Sequence, residues 1–130
     1  MKHKFIFLTL LINSCFIISC EKNQDKQAPT LELYSPKEND TLLSFNSEFE
    51  IKFKAHDETA LSKAFISITD TNGTELTSDL RNIYGTDYHY SNSFLFSGTK
   101  GQIKKLNLLF KVSDKSENTT LKKMNFYIKL

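Results

Sequence analysis

An all-β fold, a sandwich of two packed sheets, is what the sequence predicts, and three observations carry that prediction. Apolar and polar residues alternate with a period of two along several stretches, clusters of turn-forming residues separate those stretches, and no window of eleven residues shows a convincing 3.6-residue period. Many short alternating strands joined by turns bury one face each, and the packing that satisfies this is sheet on sheet.

The elements follow in chain order. Residues 30–34 form a short first strand. Phe49, Ile51, Phe53 and Ala55 alternate with Glu48, Glu50, Lys52 and Lys54, the pattern of a half-buried strand with one face in water. A shorter run spans residues 63–69, and another spans 88–96. Leu106, Leu108, Phe110 and Val112 alternate with Lys105, Asn107 and Lys111, with Leu109 as the exception. Met124, Phe126, Ile128 and Leu130 alternate with Lys123, Asn125, Tyr127 and Lys129. This gives six or more strands. Ser35-Pro36-Lys37-Glu38-Asn39-Asp40, Asp70-Thr71-Asn72-Gly73, Ser97-Gly98-Thr99-Lys100-Gly101 and Asp114-Lys115-Ser116-Glu117-Asn118 supply the turns. Phe53 and Phe110 are expected to point inward on facing strands.

Ahead of this part stands a segment of different character. Met1-Lys2-His3-Lys4 is basic, Phe5 to Ile18 is largely apolar, and Ile17-Ile18-Ser19-Cys20 closes it. A charged start, a short apolar middle and a small residue before a cut site make a signal peptide. The apolar stretch falls short of the roughly 20 residues that span a bilayer. The segment resembles a bacterial lipoprotein signal with its lipobox. That resemblance implies cleavage before Cys20 and acylation of its sulfur and new amine. Membrane attachment through Cys20 in the cell envelope is therefore expected. Glu21 in place of Asp after Cys20 argues against retention at the inner membrane, so the outer membrane is the expected location.

The expected organisation is a signal peptide over residues 1–19, a lipidated tether over 20–28 and one domain over 29–130. Glu21 to Ala28 is polar and without periodicity, and eight extended residues reach at most about 27 Å. Cys15 leaves with the signal and Cys20 is acylated, so no disulfide is expected to support the domain. Lys2 and Lys4 leave as well, which takes the formal net charge from +2 to 0. With no face-defining basic cluster legible in the sequence, no nucleic-acid partner is expected.

Three pieces carry a resemblance to bacterial immunoglobulin-like modules. They are Pro29-Thr30-Leu31-Glu32-Leu33-Tyr34-Ser35-Pro36; Ala55-His56-Asp57-Glu58-Thr59-Ala60-Leu61 with Ala64 to Ile68; and Val112 to Thr120. The likeness implies a single immunoglobulin-like β-sandwich. It extends to uncharacterised lipoproteins of the Bacteroidota, many of which carry a His-rich stretch after the third strand. Here Asp87-Tyr88-His89-Tyr90 stands in that place, with one histidine.

Candidate sites are few. There is no Gly-x-Ser-x-Gly elbow, and the part after Cys20 has two histidines, His56 and His89. No enzyme and no cofactor are expected. In the topology that the resemblance implies, the turns holding Asp57, Glu58 and Asp114, with Glu117 near them, share one end of the sandwich and could offer oxygens to Ca²⁺; the alternative function is therefore a metal-binding surface lipoprotein, for Ca²⁺ or a transition metal. The other reading of these turns is that each Asp closes its own turn by accepting backbone N–H bonds. Arg81, Tyr84, Tyr88 and His89 are candidates for binding an envelope protein or glycan, since Tyr and Arg most often anchor interfaces. The alternative is that the aromatics of this segment alternate into the core. Residues 70–93 are expected to form a long irregular connection on the end opposite Asp57 and the flank. Asp40-Thr41-Leu42 resembles a short O-glycosylation site of Bacteroidota.

Overall fold

A computed structural model describes residues 25–43 and 48–130; Cys20 and the segment before it lie outside the described residues. Eight strands form two sheets. They are β1 (Thr30–Ser35), β2 (Thr41–Leu43), β3 (Glu48–His56), β4 (Leu61–Thr69), β5 (Glu75–Asn82), β6 (Asp87–Leu95), β7 (Ile103–Asp114) and β8 (Thr119–Lys129). One sheet has the order β1-β3-β6 and the other β2-β8-β7-β4-β5. All neighbours pair antiparallel except β2, which runs parallel to β8. The fold is an immunoglobulin-like β-sandwich: the alternation and the turns predict the sandwich, and the resemblance implies its immunoglobulin-like form.

The period-two pattern becomes the core directly. Phe49, Ile51, Phe53 and Ala55 of β3 are buried, as are Leu106, Leu108, Phe110 and Val112 of β7 and Met124, Phe126 and Ile128 of β8. Phe53 and Phe110 meet edge to face between the sheets, with ring centroids 5.4 Å apart. Tyr90 stacks on Phe53 at 4.9 Å, while Phe94 and Phe96 pack around Phe49. The aromatics of β6 thus serve the core. Leu109, the break in the β7 pattern, sits half-buried on the outer face of the five-stranded sheet.

Two strands were not expected. β2 occupies Thr41–Leu43, inside what reads as turn and glycosylation sequence; it forms because Leu42 packs on the core while the strand pairs with Thr41↔Tyr127 through Leu43↔Lys129. β5 occupies Glu75–Asn82, where alternation is weak because an edge strand buries little. The expected long irregular connection over 70–93 is therefore two strands joined by a short turn, held by Lys63↔Asn82 and His56↔Asp87 at its two sides. Gly85 in that turn has φ +84°, a backbone conformation that glycine adopts without strain.

Candidate functional site

One end of the sandwich gathers the candidate residues. The β3–β4, β5–β6 and β7–β8 turns all lie there, because β4 runs away from this end, β5 returns to it, and β7 runs back to it beside β4. Backbone bonds fuse them. Asp57 N–H donates to Thr86 O at 2.9 Å, Leu61 N–H to Gly85 O at 2.8 Å, and Lys115 N–H to Ala60 O at 2.9 Å. The Ser62 hydroxyl donates to Asp114 O at 2.6 Å and lies 3.1 Å from Ser113 O.

Asp57 and Asp114 are both buried, at 3% and 2% exposure. Asp57 Oδ1 accepts from Thr59 N–H at 3.0 Å and Ala60 N–H at 2.9 Å, and lies 2.8 Å from the Thr59 hydroxyl oxygen. Asp114 Oδ1 accepts from Asn118 N–H at 2.8 Å, and Oδ2 from Asn118 Nδ2 at 2.7 Å. Each carboxylate therefore closes its own turn, and Glu117 at φ 69° completes the second one. Among the described residues no buried side-chain nitrogen or oxygen lacks a partner.

The structure adds a third carboxylate that sequence reasoning missed. Asp25 lies against the two turns: its carboxylate accepts from the Thr59 hydroxyl, and its backbone oxygen accepts from Asn118 Nδ2 at 2.9 Å. The Thr59 hydroxyl, then the Gln27 N–H, hold the Asp25 carboxyl below the usual aspartate range. Asp25, Asp57 and Asp114 each offer an oxygen within 4.8 Å of the others. Glu58 is exposed and stands outside this trio, as does Glu117. Asp25 carried no signal in the sequence, sitting in a polar stretch without periodicity. Among the described residues, contacts with the fold thus extend ahead of Pro29 as far as residue 25. Carboxylate oxygens are hard ligands of the kind Ca²⁺ takes, and the trio supplies three of them.

The expectation that residues 70–93 lie on the end opposite Asp57 and the flank holds only in part: β5 is the edge strand on the flank, but the segment also reaches the Asp57 end. The antiparallel return of β5 brings Asn82 beside Lys63, so Arg81 and Tyr84 sit at the Asp57 end. Only the Asp70–Gly73 turn, closed by Asp70 Oδ1 accepting from Asn72 and Thr74 N–H, lies at the other end. Nor do the four candidates form one patch. Tyr84 is 77% exposed at the tip of its turn. Arg81 Nε donates to Asp79 at 2.9 Å on the inward side of the edge strand β5. Tyr88 is half-buried against Phe53, while His89 is exposed on the opposite side of β6.

Two charged clusters remain. The Tyr90 hydroxyl donates to Asp79 Oδ2 at 2.7 Å, and burial, reinforced by that bond, pushes the phenol far above its usual value. Burial raises the Asp79 carboxyl, but the bonds from Arg81 and Tyr90 together outweigh it and leave the group lowered. On the three-stranded sheet Asp87 lies 3.1 Å from Lys54 Nζ and 3.2 Å from His56 Nδ1, and Lys54, followed by His56, lowers its carboxyl. This group is exposed and flat.

No protein-family model and no curated protein sequence matches the chain. Solved structures do. The periplasmic chaperone SfaE aligns over 78% of this chain with a TM-score of 0.51 and 3% identity; this chain spans 56% of its length. CopC from Methylosinus trichosporium OB3b aligns over 77% of this chain and 94% of its own, with 14% identity and a TM-score of 0.48. The CARDB domain of the PF1109 protein from Pyrococcus furiosus, in complex with di-metal ions, aligns over 77% and 86%, with 17% identity and a TM-score of 0.46. Likeness at such identities speaks to fold alone.

Proposed function

We propose that this protein is a non-catalytic binding or assembly module of the bacterial envelope, held to its membrane through acylated Cys20. The observation that carries the reading is the attachment of Asp25 to the β3–β4 and β7–β8 turns. It sets a fused, hydrogen-bonded end of the sandwich five residues after Cys20. The buried carboxylates Asp57 and Asp114 are spent on turn closure, which suits a scaffold. Metabolic labelling with a palmitate analogue tests the anchor, and in-cell cross-linking tests the module. Wild type takes the label, Cys20→Ala does not, and wild type cross-links to an envelope protein or glycan. Equal labelling of the two chains overturns the anchor. An anchored chain that cross-links to nothing overturns the module.

A second reading rests on the trio Asp25, Asp57 and Asp114, two of them buried and all within 4.8 Å. In it the end of the domain binds Ca²⁺, which would tie the N-terminal segment to the turns. A melting temperature that rises with Ca²⁺ and falls with EDTA supports it, and one that ignores both removes it.

A further inference from the structure

The two outer faces of the sandwich differ in charge and in texture. On the three-stranded sheet, Glu32, Glu48, Glu50 and Asp87 face water with Lys52 and Lys54. On the five-stranded sheet, Lys63, Lys105, Lys111, Lys123 and Lys129 face water; Glu75 is the one acid among the described strand residues of that face, and Glu38 of the β1–β2 turn stands at its margin near Lys123. Glu75 is already bonded to the Ser67 and Ser78 hydroxyls at 3.0 and 2.8 Å. The sequence hides this asymmetry, because the lysines are scattered over β4, β7 and β8 and only pairing brings them together.

Apolar side chains interleave with those lysines. One row across four strands reads Leu80, Phe65, Lys111, Leu121, and the paired registers add Leu109 with Lys123, Lys105 with Tyr127, and Ile103 with Lys129. Leu80, Leu121 and Ile103 are 62%, 52% and 59% exposed. A lysine can lay its alkyl stem along apolar surface while its ammonium reaches a polar layer. A face that presents both kinds of side chain together has the chemistry of a surface lying in the headgroup region of an anionic bilayer.

The position of Asp25 agrees. Asp25 is bonded to Asn118, in the turn between β7 and β8 of this same sheet. Only residues 21–24 separate that point from Cys20, and four residues span at most about 14 Å. An anchor so short, attached at the end of this sheet, holds the lysine face within reach of the bilayer.

We infer that the outer face of the five-stranded sheet lies on an anionic phospholipid surface, with Lys63, Lys105, Lys111 and Lys123 at the headgroups and Leu80 and Leu121 among them. The nearness of the membrane rests on the acylated Cys20 of the proposed function. The acyl chains and the basic face then act as two linked attachments, and the three-stranded sheet is the side turned to partners.

Lysine footprinting tests this on the full chain purified from membranes and placed in vesicles. An amine-reactive reagent modifies exposed lysines, mass spectrometry reads each site, and the same chain in detergent normalises intrinsic reactivity. In phosphatidylcholine vesicles containing phosphatidylglycerol, Lys63, Lys111 and Lys123 should be protected about fivefold or more relative to Lys52 and Lys54, the factor that one lysine held at an anionic surface supplies. The protection should vanish in high salt and in pure phosphatidylcholine. Lys111→Glu with Lys123→Glu should abolish the protection of Lys63 without moving the melting temperature. Equal reactivity of both faces on the anionic vesicles overturns the inference. So does protection that survives in neutral lipid and grows with protein density, which would mean that a second copy covers the face. The intact mass of the purified chain reports acylation of Cys20 separately. An unacylated chain removes the anchor, and its footprint after addition to the same vesicles still decides the face.

Discussion

Truncating Phe53 to alanine tests the register on which the whole core depends. Phe53 is 1% exposed and lies between Tyr90 at 4.9 Å, Phe110 at 5.4 Å and Tyr88 at 6.4 Å. Removing its ring forfeits about 1.5–3 kcal/mol of transfer free energy. The lost aromatic pairings are worth about 0.5–1.5 kcal/mol apiece. Strands laddered on both sides cannot close over the space, so the total belongs in the range of about 3–5 kcal/mol found for buried phenylalanines. Against a whole-domain stability of about 5–15 kcal/mol, that is a large fraction. At about 4–8 °C per kcal/mol the melting temperature should drop by roughly 12–40 °C. Urea unfolding at equilibrium measures it, with an unchanged m-value as the sign that the native fold persists. Lys52→Ala, one residue away, is the control. Lys52 faces water and pairs only with exposed Glu50, so its loss should cost less than about 1 kcal/mol. A Phe53→Ala cost below about 1 kcal/mol, or a Lys52→Ala cost above it, would refute the register, since a slip of one residue exchanges the two faces.

Other expectations concern single groups. Asp114→Ala strips Asn118 of two partners and should destabilise the domain by about 1–3 kcal/mol in urea unfolding; it should also erase any Ca²⁺-dependent rise in melting temperature. Asp79 has a lowered pKa in the folded state, so its contribution is full above the unfolded value near 3.9 and is lost as pH falls through the folded value. The stability gap between wild type and Asp79→Asn should therefore be widest near neutral pH and close on acidification below about pH 5. Tyr90→Phe removes one of the bonds that lower that carboxyl, and should shift the loss to higher pH in the same titration. Tyr84→Ala, at a tip that is 77% exposed, should change stability by less than about 0.5 kcal/mol.

The alternation of β3, β7 and β8 was enough to place their core faces, because a half-buried strand records its inward side in every second residue. Asp57 and Asp114 could be placed in turns for the same reason, since each sits where an alternating run meets turn residues; that the two turns share an end came from the topology the resemblance implied, and the pairing of β4 with β7 shows it. What the sequence could not show was pairing. β2 and β5 are edge strands with little to bury, and their existence depends on the neighbours β8 and β4. The return of β5 decided that Arg81 and Tyr84 stand at the Asp57 end, and alternation along β6 put Tyr88 and His89 on opposite faces. Asp25 joined the carboxylates through the folding of distant turns around it. The lysine face is likewise a product of register, since Lys63, Lys111 and Lys123 lie on three strands that chain order keeps apart. Local periodicity settles which way a side chain points; only the long-range ladder settles what it points beside.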